Sequence, residues 1–140
     1  MTTGLAVFDT TVQETNTWLN LIEARLPPCG KQDAYQALRA VLHVLRDRLP
    51  MGAVLGLSAQ LPMLMRGLFL EGWKPDAPLN IHGLADFAEH VEARLPDGFP
   101  RAAQDVVPTI FGVLRERLDT GEIHKLTRLL PHEFGSILNP

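Results

Sequence analysis

The chain has one cysteine, Cys29, so it cannot build an internal disulfide framework, and a lone thiol suits a reducing cytoplasm. It has no basic block. Thirteen Lys and Arg against sixteen Asp and Glu leave a formal charge of −3, whereas duplex binding normally needs a clustered cationic footprint. Nucleic acid is therefore excluded as an expected partner. It has no long hydrophobic run: Arg, His, Gly or Pro breaks each apolar stretch well before the ~20 residues that a membrane span needs. Met1-Thr2-Thr3-Gly4 has neither a basic start nor an apolar region, so no signal peptide and no membrane association are expected. Strand signals are few, and helical periodicity dominates. A hydrophobic content of 46% with 21% charged residues argues against disorder, and 140 residues suit one domain with a substantial core.

What the chain does have is an internal repeat at a spacing of sixty-nine residues. Glu23-Ala24-Arg25-Leu26-Pro27 returns as Glu92-Ala93-Arg94-Leu95-Pro96, and Val44-Leu45-Arg46-Asp47-Arg48-Leu49 as Val113-Leu114-Arg115-Glu116-Arg117-Leu118. Gly52 matches Gly121, Leu57 matches Leu126, and Leu61-Pro62 matches Leu130-Pro131. From Trp18/Phe87 to Phe69/Leu138 there are fifteen identities in fifty-two pairs. Chance would give roughly three or four at ordinary residue usage.

The repeat predicts four helices per half. Thr11 and Glu14 have the spacing of a capping box, which predicts a first helix from Thr11 through Leu26. In the second half Asn80 is the matching N-cap, Leu79 can staple onto Leu84, and the helix runs through Leu95. Longer helices follow at about residues 32–49 and 101–118, the first with an apolar stripe of Ala34, Leu38, Val41, Leu42, Leu45 and Leu49. Pro100 suits the first helical position of the second, and Pro108 predicts a kink or split inside it. Short helices at about 53–60 and 122–129 end at Leu-Pro, which opens the last helices at about 62–71 and 131–138. Residues 72–79, rich in proline, form the linker between repeat one (about 8–73) and repeat two (about 80–140). The expected fold is all-α: two tandem four-helix repeats packed about a pseudo-two-fold axis as a single domain spanning residues 1–140, as a fused homodimer would be.

The string Leu61-Pro62-x-x-x-Arg66-Gly67-x-x-x-Glu71-Gly72-Trp73, the Arg-Leu ends of the long helices and the duplication resemble a bacterial family catalogued as domain of unknown function 2267. The resemblance covers nearly all of the chain from about Phe8. It implies an all-helical fold and no established activity, and it carries over no functional residues.

Three residue sets are candidates for chemistry. His82, Asp86 and His90 recur every fourth residue, a spacing used in metal sites, with Glu89 beside them. Leu84, Phe87, Ala88, Val91 and Leu95 take the opposite face, so a solvated polar face explains the set without a metal. Arg46, Arg48, Arg115 and Arg117 are candidates for anion binding from a shared groove, although arginines near helix C-termini are also explained by the helix dipole. Met63, Met65, Leu68, Phe69 and Trp73 make the fourth helix apolar all round, which predicts either a central position between the halves or an exposed docking patch. His43, His124, Ser58, Ser136 and Cys29 lack the local context of a nucleophile or its base, and no catalytic residue is assigned.

A chain rich in packing residues and poor in convergent polar groups suggests a non-catalytic interaction module or adaptor, partnered by a second copy or another protein, using the Met63–Trp73 region. The alternative is a small-molecule or lipid-binding protein with an apolar pocket between the repeats and an arginine at its mouth. A metal-dependent enzyme stands third. No cofactor is expected.

Overall fold

The computed structural model describes residues 2–139, and every regular element among them is helical. In chain order these are α1 (Ala6–Arg25), α2 (Lys31–Arg48), α3 (Met51–Gln60), α4 (Met63–Leu70), α5 (Leu84–Glu92), α6 (Ala103–Arg117) and α7 (Thr120–Leu129), then a 3-10 turn at His132–Phe134 and α8 (Gly135–Leu138). The bounds of α3 and α7 differ by sixty-nine residues at both ends, as do the last residues of α2 and α6. The 3-10 turn likewise begins sixty-nine residues after α4. No helix among the described residues is long and apolar enough to cross a membrane.

The first helices depart from expectation. α1 begins at Ala6, so Thr11 lies inside it rather than capping it. Asp9 supplies the early acid that the helix dipole favours, and its Oδ1 accepts from the backbone N–H (2.6 Å) and the hydroxyl (2.9 Å) of Thr3. Thr11 is buried and takes another role: its Oγ1 accepts the backbone N–H of Leu64 at 2.8 Å, serving the first turn of α4. In the second half the helix begins only at Leu84, with Gly83 rather than Asn80 at the N-cap. There the Leu84 N–H donates to Glu133 Oε1 at 2.9 Å. Glu133 is the sequence counterpart of Leu64, so the same seam between first and last helix is bonded in both halves, with donor and acceptor sides exchanged. A Cβ at Gly83 would run into that Glu133 carboxylate.

α2 is the centre of the fold. It packs on α1, α4, α5 and α6, which explains why it buries Ala37, Ala40, His43, Val44 and Arg46 in addition to the expected stripe. α6 packs on α1, α2, α5 and α8 and runs unbroken through Pro108. Pro108 and Gln104 are both exposed, so the carbonyl that loses its amide partner can be hydrated. Between α4 and α5 the chain is non-helical, but it is more than a tether. Ile81 is buried, and the Leu79 N–H donates to the Asp47 carbonyl at 2.8 Å. Gly72, with φ of 74°, turns the chain out of α4 through a region where other side chains would be strained.

The buried residues form one cluster to which every helix contributes. Phe87, Phe111 and Phe134 stack edge-on in the second half, with ring centroids 5.3–5.6 Å apart. Their sequence counterparts in the first half are Trp18, Leu42 and Met65, so matched positions of the one core are filled by different shapes.

Candidate functional site

α4 combines the two expectations drawn from its sequence. Met65 and Phe69 are fully buried, packed in the common core, while Leu68 and Trp73 are half-buried. Charging Met65 or Phe69 would therefore unfold the chain, and neither can reach a partner. The opposite side of α4 faces solvent, with Met63 47% and Leu64 50% exposed. Beside it, α1 exposes Val7, Phe8 and Val12, and Leu5 stands at its N-cap. Composition of the α4 segment alone pointed to this region. The participation of α1 was hidden because its first turns were expected to lie outside any helix.

Of the depressions that flank these residues, two also involve α2 or α6. The larger, of about 530 Å³, lies among α1, α2 and α4 and has mainly apolar walls that include Val12, Leu19, Leu38, Leu64, Met65 and Leu68. Thr15, Asn16, Tyr35 and Glu71 supply its polar edge. It lies within the first half rather than between the halves, and its charged edge residue is acidic, not an arginine. The second, of about 360 Å³, is bordered by Glu14 and Trp18 of α1, by Ala59 to Met63, by Arg66, and by Arg117 from α6.

The arginines are largely engaged in holding the fold. Arg46 is buried; its Nη1 donates to the Phe69 carbonyl (3.0 Å) and the Glu71 carbonyl (2.8 Å), and its Nε donates to Asp47 Oδ1 (2.9 Å). It thus closes the C-terminal end of α4, whose last carbonyls have no helical partner. Arg115 does the same for α8 more weakly, through one bond of 3.3 Å from Nη1 to the Ile137 carbonyl, and it is exposed. The Arg48 Nε donates to the Ile81 carbonyl at 3.2 Å. Arg46, Arg48 and Arg115 therefore spend donors on main-chain carbonyls instead of presenting them jointly to an anion. Arg117 alone of the four borders the smaller groove, as does Glu14.

Two further arginines tie the halves together. Arg94 Nη2 lies 3.0 Å from Asp47 Oδ2, and Arg25 pairs with Glu116. Arg25 matches Arg94 and Asp47 matches Glu116, so each half gives its arginine to the other half's acid. The Arg25 guanidinium holds the Glu116 carboxyl below its usual range, and Glu116 in turn raises Arg25. Arg66 caps a third helix end: its Nε donates to the Leu61 carbonyl (2.9 Å) and its Nη2 to the Ala59 carbonyl (3.3 Å), closing α3.

The polar set on α5 is not assembled as a site. His82 precedes the helix, so the four-residue register does not extend to it. Asp86 Oδ2 accepts the His82 backbone N–H at 3.1 Å, and Asp86 Oδ1 lies 3.7 Å from His90 Nε2. Asp86 thus acts on the turn that enters α5. Among the described residues no three His, Cys, Asp or Glu side chains are grouped to hold a metal ion. Cys29 is buried, and burial beside Asp33 pushes its thiol upward. Buried His43 bonds the Leu68 carbonyl through Nε2 at 2.7 Å, which requires the proton on Nε2. Burial drives its pKa below the usual histidine value, an effect opposed by that bond and reinforced by Arg46, Arg39 and Arg94.

The model of a family described as an uncharacterized conserved protein, DUF2267, matches residues 15–137. The chain belongs to that family. No curated protein matches it. In this DUF2267 chain the Leu-Pro-x-x-x-Arg-Gly-x-x-x-Glu-Gly-Trp string has a structural account. Arg66 closes α3, the Glu71 carbonyl receives Arg46, and Gly72 makes the left-handed exit from α4.

Proposed function

We propose that this DUF2267 chain is a non-catalytic cytoplasmic interaction module that assembles with a second copy of itself through the exposed apolar face of α1 and α4. In this proposal the chain is one domain of two tandem four-helix repeats related by a pseudo-two-fold axis. Reciprocal packing supports the repeats: α1 packs on α6 and α5 on α2, and the ion pairs Arg25–Glu116 and Arg94–Asp47 exchange between halves.

One observation carries the assembly surface. Leu5, Val7, Phe8, Val12, Met63 and Leu64 are all exposed on, or at the start of, two helices that pack against each other. Single exposed leucines need no explanation, whereas a grouped apolar face marks an interaction site. A two-fold dimer would lay this face against its own copy. The test replaces Phe8 and Leu64 together by glutamate, the residue already present at the position matching Leu64. Light scattering should give a dimer for the wild type and a monomer for the variant, with unchanged thermal melting. A monomeric wild type, or a variant that still dimerises, refutes the proposal.

The 530 Å³ cleft favours a second function, uptake of a small apolar molecule or acyl chain, since its volume falls in the range of small-molecule sites. Native mass spectrometry of gently purified protein should then show a defined extra mass. Leu68→Trp, which fills the cleft, should remove it.

A further inference from the structure

The ends of α2 and α6 carry matching residues, Arg46-Asp47-Arg48-Leu49 and Arg115-Glu116-Arg117-Leu118, and meet different surroundings. Against the end of α2 lies a non-helical stretch of the chain, Leu79 to Ile81. Its Leu79 N–H donates to the Asp47 carbonyl at 2.8 Å, Arg48 Nε donates to the Ile81 carbonyl at 3.2 Å, and the Ile81 side chain is buried. The end of α2 therefore recognises a non-helical segment by one backbone acceptor, one guanidinium donor and a seat for a branched aliphatic side chain.

On α6 the matching groups are the Glu116 carbonyl and the Arg117 guanidinium. The residues that would match Leu79 to Ile81 are Thr10 to Val12, and these are wound into α1. They cannot offer the alternate N–H and C=O groups of an extended chain, because a helix spends those groups internally. Among the described residues neither the Glu116 carbonyl nor the Arg117 side chain has a hydrogen-bond partner. Arg117 instead borders the 360 Å³ groove, whose other walls are Glu14, Trp18, Ala59 to Met63 and Arg66.

We infer that the α6 end of this groove binds an extended peptide segment of a protein partner, of the kind aliphatic-x-aliphatic, as the α2 end binds Leu79-Asn80-Ile81. A peptide N–H donates to the Glu116 carbonyl, and Arg117 donates to the peptide carbonyl two residues on. The second aliphatic side chain lies against Pro62 and Met63, above the buried Trp18. The inference rests on the repeat register and not on self-association, so a monomeric wild type leaves it standing.

The probe is a blocked synthetic peptide with the sequence of residues 77–83, Ala-Pro-Leu-Asn-Ile-His-Gly, titrated into the isotope-labelled full chain. Binding in the region of 1 mM is expected for so short a segment. The Trp18 indole N–H and the Arg117 Nε–H should shift saturably. Arg117→Ala, an exposed change that leaves the spectrum dispersed, should weaken binding about tenfold through loss of a charge-assisted bond. A peptide with aspartate in place of its isoleucine should not bind. Three results overturn the inference: no shifts, shifts equal for the aspartate peptide, or shifts confined to the α2 end around Arg48.

Discussion

Replacing Arg46 by methionine, and separately Arg115 by methionine, tests whether these matched arginines hold the fold or wait for an anion. Methionine keeps much of the aliphatic stem and removes the guanidinium. At Arg46 the loss strips donors from the Phe69 and Glu71 carbonyls and leaves Asp47, 14% exposed, with Arg94 as its remaining cation. Each buried group left without a partner costs about 1–3 kcal/mol, and breaking a buried charged pair costs about 3–5 kcal/mol. Since Arg94 still serves Asp47, about 3 kcal/mol is expected for Arg46→Met. At Arg115 a single 3.3 Å bond on an exposed side chain is lost, so about 0.5 kcal/mol or less is expected. Unfolding entropy for a chain of this length is about 0.3 kcal/mol per degree, so the melting temperatures should fall by about 10 °C and by 2 °C or less. Urea titration and thermal melting by circular dichroism measure both. Equal losses at the two positions, or an Arg46→Met chain of wild-type stability, would refute the clamp and return Arg46 to the candidates for ligand binding.

Two more predictions follow from buried polar groups. The folded-state pKa of His43 lies below its ordinary value of 6.5, so the unfolded chain binds the extra proton between those two values. Stability is then full above about pH 6.5 and falls as the pH drops toward the folded value, by at most about 1.4 kcal/mol per pH unit for one group. His43→Gln keeps a donor for the Leu68 carbonyl and should flatten that part of the profile; an unchanged slope between neutral and mildly acidic pH would exclude His43 as its source. Thr11→Val preserves shape but deprives the Leu64 N–H of its acceptor, and should cost about 1 kcal/mol by analogy with a lost N-cap. Equal or greater stability in that variant would mean that water replaces the hydroxyl without loss.

Local chemistry made the helices legible. The Leu-Pro pairs that follow them placed the ends of α3 and α7, and the apolar period placed α2 and α6 within two residues. These are short-range signals: a proline lacks an amide, and a stripe needs only its own helix. The spacing of sixty-nine residues also marked Arg25, Arg46, Arg94 and Arg115 as equivalent sets, since equivalence is a property of order along the chain. Tertiary structure decided what each residue does. Thr11 has the local pattern of an N-cap, yet its hydroxyl serves α4, fifty-three residues away, because α1 extends back to Ala6 and brings the threonine against another helix end. His82 fell out of register with His90 because Glu133, supplied from the far end of the chain, helps set where α5 begins. On α4, sequence could say that the helix was apolar all round but not which side met the core. The packing of α1 and α2 buried Met65 and Phe69 and left Met63 and Leu64 to solvent. Likewise Arg48 and Arg117 are identical in type and position, and they differ only because a non-helical segment lies across one helix end and a groove borders the other. Burial and hydrogen-bond partners depend on residues remote in sequence, so they became readable only once the helices were assembled.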